Sequence, residues 1–469
     1  MSKIKSLVLG SAAAIVAIGG AQAADLPVKA KAVEYVKVCS LYGAGFYYIP
    51  GTDTCIRIGG YLRAEVNFHA APSDATYLNG DGGLGLRTAG QYQTRARIMM
   101  NVDTRTATEY GVVRTFAAFG PQFNEGATNA PPDTLGSGSM RVEAAFVQFA
   151  GFTFGRSASA YALPWNGAPG NLNSTLMGGP NFDAGVNNIQ YTWQFGNGVS
   201  ASVGVDQQGY SNRVGVLSST LSNATILGTY ANHYAAPTAV DVVGNIRLDQ
   251  AWGLLQFSAA AHQVTADYYT ATAAQGHPSD KWGFAVTGAL QLKNLPTGPG
   301  DDIKISGTYS EGALRYVLGQ SGNTPMNFAV LDGNTFAGVP IADGVYSGLG
   351  SSIQLTKAYG FNGAFNHNWN RNWSSSVFGS WSHVDYNGTA TAAICGAAVG
   401  CNPDFNISQL GASTTWKPVK DLAFIAEATW VHIDQNNAGA VTLTGLPART
   451  AVYGDTNSYS GILRVQRNF

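Results

Sequence analysis

The run IRIGGYLRAEVNF, residues 56–68, changes character at nearly every step. Ile56, Ile58, Gly60, Leu62, Ala64, Val66 and Phe68 share one parity; Arg57, Gly59, Tyr61, Arg63, Glu65 and Asn67 share the other. A strand sends successive side chains to opposite faces, so the run predicts one apolar face and one charged face. The same period returns at 91–102, where Tyr92, Thr94, Ala96, Ile98, Met100 and Val102 oppose Gln91, Gln93, Arg95 and Arg97. It returns again at the chain end, where Tyr459, Gly461, Leu463, Val465, Arg467 and Phe469 oppose Arg464, Gln466 and Asn468.

Followed outward, this period predicts sixteen strands, near 56–68, 91–106, 107–120, 139–150, 152–161, 187–195, 198–210, 241–251, 254–268, 281–294, 302–318, 359–370, 373–386, 405–417, 422–434 and 456–469. The alternation slips in 141–149 and around Arg156, as at a bulge or a subunit contact. Connections alternate in length. Short ones include 150–152, 196–198, 252–253, 294–301, 370–372 and 417–421; Gly/Asn/Pro/Ala-rich stretches at 69–90, 121–138, 162–186, 211–240, 269–280, 319–358, 387–404 and 435–455 lie between them. An even strand number, tight turns at one end and long loops at the other define a transmembrane β-barrel with periplasmic turns and external loops. A soluble sandwich has many short strands, but nothing sorts its loops by length in this way. The fold expected is therefore an all-β, 16-stranded antiparallel transmembrane β-barrel over residues 56–469.

Composition agrees. Only 12% of residues are charged, about half the usual share. Beyond the first residues no run reaches the roughly 18 consecutive apolar residues of a membrane helix, and a barrel needs none. Residues 1–6 are basic, 7–20 are small and apolar, and Ala21-Gln22-Ala23 has the form of a cleavage site, so 1–23 reads as a secretory signal peptide. Without Lys3 and Lys5 the chain keeps 25 basic and 28 acidic side chains, a net charge of −3. That balance offers nothing to attract nucleic acid.

Export favours paired cysteines. Cys39 and Cys55 bracket an aromatic, glycine-rich segment just ahead of the first strand, and Cys395 and Cys401 lie in one long loop. We expect the disulfides 39–55 and 395–401, the first pinning the segment 24–55 against the short-turn end of the barrel. A metal site is disfavoured by the absence of close Cys spacing.

Several of these segments carry a family likeness. Residues 34–66 (EYVKVCSLYGAGFYYIPGTDTCIRIGGYLRAEV), 103–115 (DTRTATEYGVVRT), 145–156 (AFVQFAGFTFGR) and the terminal GILRVQRNF together resemble the alphaproteobacterial general porins. The resemblance implies a homotrimer in outer-membrane lipid, passing small hydrophilic solutes and ions by passive diffusion. It implies that Phe469 is the signal to the barrel-assembly machinery. It also implies that the third long loop, 162–185, folds into the lumen.

The lumen of such a barrel is polar. The inward parity collects Arg57, Arg63, Arg95, Arg97, Arg114 and Arg141 from the first four strands, and strands lie about 4.8 Å apart, so these would form one basic wall. Such walls set pore selectivity; the plainer reading makes them partners of Glu65, Glu109 and Glu143. The loop 162–185 carries a single acid, Asp183, so a strong transverse field is not expected, only a weak preference leaning toward anions. Trp416, Trp430 and Tyr459 read as membrane-interface girdle. The seven histidines are scattered, no GxSxG or Walker motif occurs, and no cofactor or enzymatic activity is expected. A secreted soluble β-rich binding protein or adhesin is the other class the composition admits.

Overall fold

The computed structural model describes residues 37–70, 76–87, 89–126, 137–172, 176–182, 185–209, 212–219, 231–270, 273–319, 326–443 and 449–469. The expected signal peptide, the first part of the segment 24–55, and Asp183 lie outside these residues.

Sixteen strands form the wall: β1 Thr54–Phe68, β2 Tyr92–Thr108, β3 Gly111–Glu125, β4 Ser137–Phe149, β5 Phe152–Ser157, β6 Val186–Gly196, β7 Val199–Asp206 and β8 Asp241–Gln250. They continue as β9 Gly253–Val264, β10 Lys281–Lys293, β11 Asp302–Glu311, β12 Lys357–Asn368, β13 Trp373–Asp385, β14 Phe405–Val419, β15 Leu422–Gln435 and β16 Thr456–Asn468. Each pairs antiparallel with the next, and β16 pairs with β1 from Tyr61↔Asn468 to Phe68↔Gly461, which closes the cylinder. Closure leaves no edge strand, so the wall's N–H and C=O groups are satisfied without water.

Connections alternate throughout, from two residues at 109–110, 150–151, 197–198 and 251–252 to forty-five at 312–356. Two tight turns show why they are tight. Ala150-Gly151 and Asn197-Gly198 both hold positive φ at the two central positions, the twist that matches hairpin strands.

The outward parity is apolar. Ile58, Leu62, Phe257, Phe361 and Leu463 are exposed on the outer surface. Trp373 and Trp416 stack at the short-turn end, with Phe424 beside Trp416, and Trp430 lies opposite Tyr459 near the other end.

Strand ends differ from the sequence reading in places. β5 stops at Ser157 rather than 161, because the chain there turns inward; β11 stops at Glu311 rather than 318, because Gly312 takes φ 66° and a helical turn, Arg315–Leu318, follows. The larger difference is in the loops. Residues 319–358 read as irregular, yet they contain the hairpin Asn327–Asp332 with Thr335–Pro340 and the strand Ala342–Tyr346. Thr335–Pro340 pairs in parallel with Arg449–Tyr453, and Ala342–Tyr346 pairs in parallel with Gly215–Ser218. Asp332-Gly333, between apolar runs, was the available hairpin signal.

These loop sheets pack inside the mouth. Phe328, Val339, Ile341 and Val345 join Leu314, Val317 and Met177 in one cluster with Val384, Phe405, Ile407, Val431 and Ile433, the inward residues at the long-loop ends of β13–β15. The wholly polar lumen is thus corrected: on this side the upper inward face is apolar because loops cover it.

Candidate functional site: the basic wall and the inserted loop

Cross-strand register builds the wall. One row reads Gln466–Arg63–Arg97–Gln122 across β16, β1, β2 and β3. The row two residues along each strand reads Arg464–Glu65–Arg95–Asn124. Directly opposed side chains interact most strongly in a sheet, and the contacts follow the rows. Arg63 Nε donates to Gln466 Oε1 at 3.0 Å, and Arg97 Nε to Gln122 Oε1 at 2.8 Å. Arg95 donates to Glu65 Oε1 and to Asn124 Oδ1, both at 2.9 Å, and Arg464 Nε donates to Glu65 Oε2 at 2.7 Å. From β4, Glu143 accepts from Arg141 Nε at 3.1 Å and Arg97 Nη1 at 3.3 Å.

Arg95, Arg97, Arg464 and Glu65 are buried; Arg63 and Arg141 are half-exposed. Four arginines therefore share two carboxylates at this level, and Arg63 stands beside them as a fifth. Arg63 lies 4.7 Å over the Tyr61 ring and directly opposite Arg97, and it makes no ion pair among the described residues. Two like charges set side by side are unfavourable for the sheet.

The other predicted arginines stand apart, toward the short-turn end. Arg57 and Arg114 gather on Asp103 together with Arg105. Neither Arg105 nor Arg464 entered the predicted wall, although both continue the inward parity of their strands and could have been found by it. Glu109, read as a possible partner, sits exposed in the turn 109–110.

The loop after β5 enters the barrel and runs along the opposite side. Its carbonyls are received strand by strand. Asn245 on β8 donates to Ala160 O, Gln256 on β9 to Ala162 O at 2.9 Å, and Tyr161 reaches Thr287 on β10 at 2.7 Å. Lys304 on β11 and Asn366 on β12 both donate to Pro169 O, at 2.9 and 3.0 Å, and Ser413 on β14 to Gly170 O at 3.1 Å. The chain then doubles back, with Met177 N donating to Gln409 Oε1 at 2.7 Å and Met177 O accepting from Asn362 at 3.0 Å. Gly178, at φ 82°, passes so near the wall that a Cβ would lie 2.2 Å from Phe361 O.

A buried polar hub fixes the loop's root and the neighbouring loops. Asp241 accepts from Tyr316 Oη at 2.7 Å and Gln208 at 2.9 Å, and lies 2.8 Å from His262 Nδ1. His262 Nε2 meets Tyr234 Oη at 2.9 Å. Asp343 accepts the backbone amides of Val214 at 3.0 Å and Leu314 at 2.7 Å. The sequence reading saw His262 only as one scattered histidine; its partners come from four separate loops and strands. No metal-holding group of His, Cys, Asp or Glu occurs among the described residues.

Cys39 and Cys55, just ahead of and at the start of β1, are joined with Cα atoms 6.0 Å apart, as are Cys395 and Cys401 in the loop between β13 and β14 at 5.7 Å. Phe469 N donates to Gly60 O at 3.1 Å and Gly60 N to Phe469 O at 3.1 Å, which clasps the terminus onto β1.

Comparison with known proteins agrees with this architecture. Residues 25–462 match the family described as the porin subfamily. Porin Omp2b of Brucella abortus (strain 2308) is 33% identical over 301 residues, covering 62% of this chain and 75% of that one. Porin Omp2b of Brucella suis biovar 1 has the same identity and coverage. Among solved structures, the outer membrane channel DcaP of Acinetobacter baumannii superposes with a TM-score of 0.59 at 15% identity, covering 90% of this chain and 99% of that one. That likeness speaks for the fold alone. A family match across nearly the whole chain and a closed sixteen-stranded barrel with a loop along its inner wall place this protein in the porin family, whose members are outer-membrane channels and not enzymes.

Proposed function

We propose that the channel passes small hydrophilic solutes and ions by passive diffusion, with a weak preference for anions set where Arg63 and Arg141 border the pore. One observation carries the preference. Five arginines and two carboxylates occupy the wall level of β16 and β1–β4, while the inserted loop contributes only Asp183 as a charged residue. The excess positive charge faces an uncharged loop backbone across the pore, so the field is one-sided and modest. Arg95 and Arg97 shape it from behind, largely neutralised by Glu65 and Glu143, and Arg57 and Arg114 add positive charge nearer the short-turn end, where they share Asp103 with Arg105.

In the same reading the protein works as a homotrimer in outer-membrane lipid. Residues 1–23 direct export, Phe469 addresses the barrel-assembly machinery, and the disulfides 39–55 and 395–401 hold the two ends. The stacked Trp373 and Trp416 outside support a lipid-facing wall. The test is a reversal potential in planar bilayers under a potassium chloride gradient. A small displacement toward the chloride equilibrium potential is expected; strong cation selectivity would overturn the anion preference, and the absence of conductance would overturn the channel.

A further inference from the structure

We propose that the short-turn, periplasmic mouth holds a second anion station, separate from the wall at Arg63, which binds doubly charged small oxyanions between Arg57, Arg105 and Arg114 under a roof made by the disulfide-closed N-terminal segment. It rests on the anion-preferring reading above and adds a site and a ligand class to it.

Register again assembles the parts. Arg57 on β1 lies opposite Asp103 on β2, and Arg105 lies opposite both Cys55 on β1 and Arg114 on β3. Asp103 Oδ1 accepts from Arg105 Nε at 3.2 Å and Arg114 Nε at 3.0 Å; Oδ2 accepts from Arg105 Nη2 at 3.1 Å and Arg114 Nη2 at 3.0 Å. Arg57 Nη2 stands 3.7 Å from the same oxygen. Two guanidinium forks thus grip one carboxylate, with a third arginine beside them. Asp103 is 2% exposed, whereas the side chains of Arg57, Arg105 and Arg114 are 47%, 27% and 28% exposed. The acid is sealed in and the bases are open to the lumen.

Three positive charges on one negative leave two uncompensated. Each guanidinium carries five N–H donors in a planar fork. Asp103 takes four of these donors and Gln148 a fifth, from Arg114 Nη1 at 2.9 Å. No further protein acceptor for these forks occurs among the described residues, and the exposed part of each guanidinium is open to solvent or to an anion. An oxyanion with two charges and several oxygens uses planar forks better than a spherical halide does.

Aromatic rings hold the forks in place. The Phe46 ring centre is 5.0 Å from both Arg57 and Arg105, and Tyr42 is 5.5 Å from Arg105. Phe116 and Phe146 flank Arg114 at 5.3 and 5.5 Å. Phe46 is buried against Cys39 and Cys55, and its carbonyl accepts from Cys39 N at 2.9 Å. The first disulfide thereby becomes part of the mouth: it sets the ring on which two of the three arginines lean. Arg57 and Arg63 are six residues apart on β1, roughly 20 Å along the strand. That exceeds the screening length of about 8 Å at physiological salt, so the two levels act on an ion separately.

The experiment measures block of the chloride current through the full-length channel by inorganic phosphate in its doubly charged form, added to each side in turn. Half-block at a lower phosphate concentration from the short-turn side is expected. Arg57→Gln with Arg105→Gln should raise that concentration by about fivefold or more, since one charge near a bound ion in water is worth about that much. Phe46→Ala should raise it by about twofold through loss of the cation–π contact. Arg63→Gln with Arg141→Gln should change the chloride reversal potential and leave the sided block in place. Equal block from both sides, or a half-block within twofold of wild type in the folded Arg57/Arg105 variant, overturns the station. Should that double variant not fold, Arg57→Gln alone, the most exposed of the three, carries the same comparison. Chloride preference persisting without phosphate block defeats this inference alone; loss of chloride preference in the wild type defeats the reading beneath it.

Discussion

The inward faces of β16–β4 and of β8–β15 belong to one cylinder and follow different rules. On the first, arginines and carboxylates pair with the residue directly across the strand gap, as in Arg464–Glu65–Arg95. On the second, Asn245, Gln256, Lys304, Asn366 and Ser413 donate to a loop's backbone, and Phe405, Ile407, Val431 and Ile433 pack under loop strands. The wall needs neither arrangement to close, because its backbone hydrogen bonds are complete without them. One half of the interior is therefore free to carry charge, and the other to act as a small hydrophobic core that anchors whatever narrows the pore.

The comparison breaks most readily at that core. Phe328 packs edge-on against Phe405 with ring centres 5.9 Å apart. Phe328→Ala should cost about 3–5 kcal/mol of local stability. It should also make the current noisier and the external loops easier to cleave while the barrel stays folded. Unchanged noise and proteolysis would mean that the loop sheets contribute no real anchorage.

The second effect is smaller. The Cys395–Cys401 bond closes a short loop, with a sequence separation of 6, and its removal by Cys395→Ser with Cys401→Ser is expected to cost about 2 kcal/mol. Faster nicking within 387–404 at unchanged conductance is the readout.

On the charged side the expectation reverses: little stability and more selectivity. Removing Arg63 and Arg141 to Gln should bring the weak anion preference to none or to a slight cation preference, since a charge a few ångströms from an ion in water is worth at most about 1 kcal/mol. Reversal potentials check it, and an unfolded variant would show that the wall is structural after all.

The smallest effect lies at the turn 294–301. Burial tends to raise the Asp301 carboxyl, but hydrogen bonds from Thr297, the Asn368 amide and His367 outweigh it and bring the group down to about 2. An unfolded aspartate titrates near 4. The turn's support is therefore complete above about pH 4 and fades as pH falls toward 2. Asp301→Asn should abolish that acid dependence in a hydrogen-exchange measurement on residues 294–301.

Much of the fold was legible. Alternation in 56–68, 91–102 and 459–469, with the long–short rhythm of connections, is written residue by residue, and a chain with such faces in lipid has to close on itself. Aromatic positions such as Trp416 and Tyr459 were readable for the same reason. The core of the mouth was not. Val216 and Val345 are buried only because two loops more than a hundred residues apart pair in parallel, and no window of sequence holds both. The arginine wall was half legible: parity pointed Arg63, Arg97 and Arg464 inward, but only the closure of β16 on β1 sets Arg464 beside Glu65, and only register sets Arg105 opposite Arg114.

By itself, the order of residues determined which side of each strand meets lipid, how many strands there are, and which end has tight turns, because those depend on near neighbours. Tertiary structure alone decided that Glu65 answers Arg464 across 399 positions, and that Asp103 is shared by three arginines. It also decided which loop lies along which strands. Those are matters of register and closure, where partners distant in the chain become adjacent only once the cylinder has formed.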